Sequence, residues 1–450
     1  VARAAAAALA SADRSGVDAM MVAVLTLSLA VLLLVGVPVA FALGLSAFAS
    51  LLASNMPFSP SILSMRSQFG LQNFVLLGIP LFILAAKLMN TAGITHKIFR
   101  FADTLVGFLP GGLAQANVVA SLIFSGMSGA AVVDATGLGQ IEMAAMKKAG
   151  YPKKFSIAVT AASSIIGPIF PPSVPMIVFS FVSGVSVGRL FLGGVVPGLL
   201  MTVALMIMVG WMSRRENYPR QAFPGWVTAA KHFVDAFLPL MTPVILLGGI
   251  WSGVFTPTEA AAVAVFYALL IGIFALRELG PRELLQVFVE SARETAVIGF
   301  VIATSSLFGW VLVRSGMTGQ IAEILLSITT NPLVMLFIIN VLLLIVGCFL
   351  DSTVALLILT PILLPVTVKL GIDPVHFGVV MVLNLMIGLM TPPFGMILFV
   401  MQHISGLSFD EVVRATTPFL VPLVVVLLLI TVFPPLVTAL PDALMGAARR

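Results

Sequence analysis

The chain has 450 residues, of which 60% are hydrophobic and only 9% charged, where a soluble globular domain carries about 25% charged residues. That composition excludes a soluble enzyme, and a net charge of +5 is too small for this length to indicate nucleic-acid binding. The lone Cys348 excludes an intrachain disulfide, a Cys-based metal cluster and a CxxC redox pair. What remains is an all-α, multi-pass membrane protein with room for roughly ten to twelve embedded segments of about 20 residues.

Residues 1–20 are small and Ala-rich and read as a disordered leader or linker, with Met20 or Met21 as the natural start. From Met21 an apolar run continues to Ala53, punctuated by Gly36-Val37-Pro38, which predicts two short helices or one long tilted one. A helix is expected over 73–91, followed by an interfacial amphipathic helix carrying Lys97, Arg100 and Asp103. Residues 113–148 read as a re-entrant hairpin, with Ser125-Gly126-Met127-Ser128-Gly129 at its tip. A long apolar run over 155–183, a span at about 190–211 and a basic loop over 213–234 complete the first half.

The second half repeats this order of parts. Spans are expected near 235–254 and 257–276, the latter opened by Thr256 and Glu259 at capping-box spacing, with Pro38 in the role of Pro257 in the first half. An interfacial stretch with Arg282, Glu283 and Arg293 follows, then a span at 296–313 and an amphipathic piece at 316–329. A second hairpin over 331–370 turns around GCFLDSTVA, and a second interrupted run covers 377–404 before a last span near 415–438. The domain reading is a first repeat over 21–212, a cytoplasmic loop over 213–234, a second repeat over 235–439 and a tail over 440–450.

The two interrupted runs carry the chemistry. SSIIGPIFPPS in the first and NLMIGLMTPPFG in the second each set a glycine, three residues and a Pro-Pro pair inside an apolar run, and Gly167, Pro171 and Pro172 lie 221 positions before Gly388, Pro392 and Pro393. Straight helix over the 29 residues from Phe155 to Ser183 would be about 43 Å long, against about 30 Å of hydrocarbon. Proline removes an amide hydrogen and clashes with the preceding turn, so carbonyls near Gly167 and Phe170 lose their helical partners. Such backbone survives at membrane depth where it is buried in protein or lines a site. The bland alternative is a kinked helix with no ligand. Two interruptions at matching positions favour the site: half-helices that offer carbonyls to a cation and N-termini to an anion, the plan of inverted-repeat transporters.

Charge gives the orientation. Lys147, Lys148, Lys153 and Lys154 put the base of the first hairpin in the cytoplasm, and Arg214, Arg215, Arg220 and Lys231 put the central loop there too. Counting crossings onward leaves the base of the second hairpin outside, so the repeats have inverted topology.

Asp351 falls at the second tip, where an ionisable group is costly unless paired or hydrated. It can serve a hard cation such as sodium together with carbonyls near Gly388 and Thr391, or cap the returning helix, and the two roles are compatible. Asp134 reads as structural. Ser125, Ser128, Ser163 and Ser164 can supply oxygens to a first cation site or satisfy backbone carbonyls. Ser163 and Asn384 share the 221-residue offset and are the paired candidates for substrate contact. Glu142 and Glu290 read as solvated or interfacial. The four histidines have no metal-ligand spacing, and no Walker A motif, carboxylate pair or Ser-His-Asp arrangement points to an enzyme or an ATP-driven pump.

The segments PLFILAAKLMNTAGIT, SGMSGAAVVDATGLG, GPIFPPS, GIDPVHFGVVMVLNLMIGLMTPPFGMILFV and LLLVGVPVAFALGL closely resemble the large membrane (M) subunit of tripartite ATP-independent periplasmic (TRAP) transporters, from Met21 to about Pro435. The resemblance implies an elevator-type secondary transporter of the ion-transporter superfamily in the bacterial inner membrane, with sodium as the coupling ion and no cofactor. It also implies a small four-helix membrane subunit and a periplasmic substrate-binding protein that delivers a small organic acid, such as a dicarboxylate or sialic acid. The family pattern puts a first sodium site at Ser125, Ser128, Gly167, Phe170 and Pro172, and a second at Gly347, Asp351, Gly388 and Thr391. The first tip reads SGMSGA where the common form has serine in place of Met127. A binding-protein-independent sodium/carboxylate symporter is the alternative, followed by an ion channel, which the lack of charged side-chain rings disfavours.

Overall fold

The computed structural model describes residues 20–54, 59 and 61–446; the leader expected over 1–20 falls outside them except for Met20. Among the described residues all regular structure is helical, and eight helices are long and apolar enough to cross a bilayer. Helices satisfy their own amides and carbonyls, which hydrocarbon cannot do for them.

The chain opens with two short helices, α1 (Met20–Leu34) and α2 (Val39–Ala53), with Gly36 at φ +85° between them. Pro38 stands at the N-cap of α2, one place earlier than Pro257 in its helix. α3 (Ser61–Leu71) is absent from the sequence reading because SILSMRSQFGL carries no clear apolar stripe. A single 3₁₀ turn (Phe74–Leu77) then leads into α4 (Gly78–Thr91) and the amphipathic α5 (Ile94–Val106). In the second half α12 (Trp226–Trp251) starts inside the stretch expected to be loop, and Pro239 and Pro243 lie within it. α13 (Pro257–Leu270) begins with the capping box of Thr256 and Glu259 in place.

α14 (Pro281–Arg314) corrects the expected division between an interfacial stretch and a span starting at 296. It is one helix of 34 residues, because after Pro281 in its first turn the sequence offers no further proline to stop it. Lys87 of α4 reaches Glu290 and Glu294 on it, at 3.4 and 2.8 Å. Helices α2, α3 and α4 gather around α14 as a scaffold, α13 packs on α4, and α12 packs on α5 and α13.

The first hairpin comprises α6 (Gly112–Ser128) and a returning arm in two pieces, α7 (Ala131–Thr136) and α8 (Leu138–Lys148). The first interrupted helix is α9 (Lys153–Ser164) and α10 (Val174–Ser183), followed by the span α11 (Val187–Arg215). Their counterparts, after the connecting α15 (Met317–Ile328), are the hairpin α16 (Pro332–Phe349) and α17 (Ser352–Lys369), the interrupted α18 (Pro374–Gly388) and α19 (Met396–Ser405), and the span α20 (Phe409–Val432). The expected tail is helical as far as α21 (Pro435–Met445), whose Asp442 pairs with Arg189 at the start of α11.

Two ion pairs fix the relation between the halves. Lys154 at the start of α9 meets Glu411 at the start of α20 at 3.1 Å, so these two helices begin at one end of the molecule. Arg189 at the start of α11 meets Asp442 of α21, which lines one cavity with Thr431 and Val432 at the end of α20, so α11 begins where its counterpart finishes. The repeats therefore run in opposite senses. At the same end as Lys154, the Tyr151 hydroxyl donates to the Pro219 carbonyl at 2.6 Å, and burial, with Asp103 nearby, pushes its phenol up to about 12. It remains a donor throughout the physiological range and holds the connecting loop against the first hairpin.

Candidate functional site

Each interruption leaves bare backbone against a hairpin tip. In the first half α9 ends at Ser164 and helix resumes at Val174, where Ser173 caps α10 by accepting from the Met176 amide at 3.2 Å and donating to the Pro168 carbonyl. Among the described residues the carbonyls of Gly167, Phe170 and Pro172 accept no hydrogen bond, as loss of the helical ladder at proline requires. Gly129 turns the tip with φ +63°, and its carbonyl accepts from the Val174 amide at 3.2 Å. A Cβ there would lie 2.5 Å from the Pro172 oxygen, so only glycine allows this approach.

Behind this tip stands Asp134. Its Oδ1 accepts the Ser128 hydroxyl proton, and its Oδ2 is buried with no hydrogen-bond partner. A Cβ on Gly167 would lie 2.2 Å from that Oδ2, so the carboxylate presses on the unwound segment itself. Ser125, also buried, donates to the Leu122 carbonyl at 2.5 Å. A buried carboxylate oxygen without a donor is costly unless a cation meets it.

In the second half the backbones of α16 and α18 touch directly. A Cβ on Gly388 would sit 2.6 Å from the Gly347 carbonyl carbon. The carbonyls of Gly347 and Thr391 accept no hydrogen bond among the described residues, while the Thr391 hydroxyl donates to the Ile387 carbonyl at 2.8 Å. Asp351 is the N-cap of α17 and accepts from the Thr353 amide at 2.9 Å. One carboxylate oxygen is thereby used locally, leaving the second.

Both tips and both interruptions open on one cavity of about 450 Å³, closed on the far side by the scaffold residues Val39 of α2 and Ile298 of α14. Asp351 is the one ionisable side chain among its described lining residues, and the rest of the wall is largely aliphatic. An anion here would find no arginine or lysine. Its charge would be met by amides at the N-terminus of α17, or by cations held at the tips.

Residues 26–436 match the family model of the tripartite ATP-independent periplasmic transporter, DctM component. The chain belongs to this family. It is 44% identical to the sialic acid TRAP transporter large permease protein SiaM of Vibrio cholerae, over 92% of this chain and 97% of that one. It is 38% identical to the C4-dicarboxylate TRAP transporter large permease protein DctM of the same organism, over 95% and 99%. The sialic acid TRAP transporter permease protein SiaT of Haemophilus influenzae is 41% identical over 84% of this chain and 61% of its own length. Among solved structures the YdaH transporter of Alcanivorax borkumensis, described as having an unusual topology, shares the fold at a TM-score of 0.62 and 14% identity, over 83% of this chain and 87% of that one.

For this TRAP permease subunit the structure brings Ser128, Gly167 and Pro172 to the first tip, and Gly347, Asp351, Gly388 and Thr391 to the second. Phe170 points its ring toward α11, where a Cβ on Gly198 would lie 3.1 Å from its Cδ2, so only its carbonyl belongs to the break. Ser163 and Asn384 do not line the cavity. Ser163 donates to Asn117 at 2.7 Å, and Asn117 to Thr160 at 2.8 Å; Asn384 donates to Asn340 at 2.9 Å, and Asn340 to Thr431 at 3.0 Å. These matched buried networks tie each hairpin to its interrupted helix. Glu142, read from the sequence as solvated, is 1% exposed with its Oε1 unpartnered, because α8 packs into the bundle. The cavity walls at Ala130, Ser352, Val39 and Ile298 went unread, since small and aliphatic residues carry no signal until four elements converge on them.

Proposed function

We propose that this permease imports a small organic acid across the bacterial inner membrane by sodium-coupled, elevator-type movement of its hairpin domain against the α14 scaffold. The observation that carries the reading is the convergence of both hairpin tips and both unwound segments on one cavity without basic side chains. An anionic substrate in such a place needs cations bound beside it, which makes its binding and theirs mutually dependent. The first sodium site is built from Ser125, Ser128 and the carbonyls at Gly167, Phe170 and Pro172, and the second from Asp351 with the carbonyls at Gly347, Gly388 and Thr391. Similar proteins are named for sialic acid, C4-dicarboxylates and 2,3-diketo-L-gulonate, which supports a carboxylate as cargo. A small four-helix membrane subunit and a periplasmic binding protein complete the transporter.

The test is uptake by proteoliposomes holding this chain and the small subunit, with the binding protein and its ligand outside. Import is expected with an inward sodium gradient and not with potassium in its place. Uptake of free substrate at the same rate without the binding protein would favour a self-sufficient symporter, and sodium-independent uptake would remove the coupling.

A further inference from the structure

A second cavity, of about 590 Å³, lies at the base of the first hairpin and is separate from the central one. Its walls are one face of α8, the first turn of α9 and the last turn of α19. Lys147 and Lys153 flank it with His403 opposite, and no aspartate or glutamate is among its described lining residues. Neither lysine has an acidic partner among the described residues. Their neighbour Lys154 is held by Glu411 on α20, and that carboxylate also caps α20 through Ser408. Two ammonium groups at one cavity mouth repel each other. Folding leaves that repulsion in place, since no carboxylate among the described residues pairs with either lysine.

The start of α9 adds to the same field. Its N-cap is Pro152, which makes no side-chain cap, so the first amides of α9 have no acceptor among the described residues, beside a cavity already flanked by two lysines. The opposite wall is apolar, with Met143, Ile157 and Ile404. By the lysine orientation this mouth faces the cytoplasmic leaflet, at the level where headgroup phosphates lie. The site thus has cations and free amides on one side and hydrocarbon on the other, and it is too large for a bare inorganic ion to fill.

We propose that this cavity binds a phosphoryl oxyanion at the cytoplasmic surface, carried by an anionic phospholipid whose glycerol end packs on Met143, Ile157 and Ile404. The headgroup bridges α8 and α9 of the first repeat to α19 of the second. Its binding therefore stabilises the packing of one repeat on the other. The site is independent of the transported acid and of sodium.

Thermal unfolding of the purified full chain in detergent at low ionic strength tests this, using dihexanoyl phosphatidylglycerol, dihexanoyl phosphatidylcholine and inorganic phosphate as probes. Phosphatidylglycerol is expected to raise the unfolding temperature and phosphatidylcholine to leave it unchanged. Lys147→Gln with Lys153→Gln should weaken the phosphatidylglycerol response at least about tenfold, from the attraction each basic residue contributes near an anionic surface. Lys148→Gln, outside the cavity, should keep the response, and Lys153→Arg with Lys147 intact should keep it as well. Inorganic phosphate acting as well as the lipid would support the oxyanion site and assign it a soluble ligand. No response of the wild type to either phosphate source, or equal loss in Lys148→Gln and the double variant, overturns the proposal.

Discussion

The two hairpin tips have nearly superposable plans and different chemistry. Ala130 and Asp351 occupy matching places, each the N-cap of the returning arm and 221 residues apart, yet the first half puts its carboxylate four residues further on, at Asp134. That shift moves the charge from the cavity wall into the protein: Asp134 is 2% exposed, bonded to Ser128 and lying against Gly167, whereas Asp351 lines the central cavity. Backbone pseudo-symmetry is therefore compatible with one enclosed site and one open site. A cation at the first would be insulated from substrate, and a cation at the second would be beside it.

The largest effect that separates the halves should come from their glycines. In Gly388→Ala the new methyl meets the Gly347 backbone, which cannot rotate away, and a loss of about 3 kcal/mol is expected. Gly167→Ala meets a carboxylate that can turn, and about 1 kcal/mol is expected; equal unfolding temperatures for the two variants in detergent would refute this difference.

Next come the polar networks. Asn340→Ala removes the partner of both Asn384 and Thr431 and should cost about 2 kcal/mol, with Asn117→Ala costing a similar amount through Thr160 and Ser163. The double-mutant cycle with Asn384→Ala, read by denaturant or thermal unfolding, should show that the 340–384 pair is not additive.

The carboxylates give the sharpest contrast. Asp134→Asn should abolish most of any sodium-dependent rise in unfolding temperature at the first site, since an amide cannot supply the charge that Oδ2 does. Asp351→Asn should leave stability nearly unchanged, because asparagine caps a helix about as well as aspartate, and should instead shift the sodium activation curve of uptake several-fold to higher concentration. An unshifted curve would count against Asp351 as a ligand. If both variants alter the same measurement to the same degree, the distinction between an enclosed and an open site is lost.

Much of this architecture could be read directly from the residues. Composition forced a membrane protein, because 9% charged residues cannot solvate a chain of this length. Two Pro-Pro pairs after matching glycines forced two breaks, since adjacent prolines remove two successive amide donors, whereas the separated prolines of α12 are carried within the helix. Lysines at the first hairpin base gave the sense of the repeats. Charge and proline act locally, so their consequences do not wait for the fold.

Tertiary structure alone decided what the breaks are for. Ser163 and Asn384 looked like binding residues, and packing put them in buried networks that fasten hairpin to helix. Asp134 looked structural and Glu142 solvated, and burial left both with an unpartnered oxygen. The cavity wall is made of Ala130, Val39 and Ile298, which differ from scores of other aliphatic residues only in their position. Burial and convergence belong to pairs of segments far apart in the chain, and no single stretch of sequence contains them.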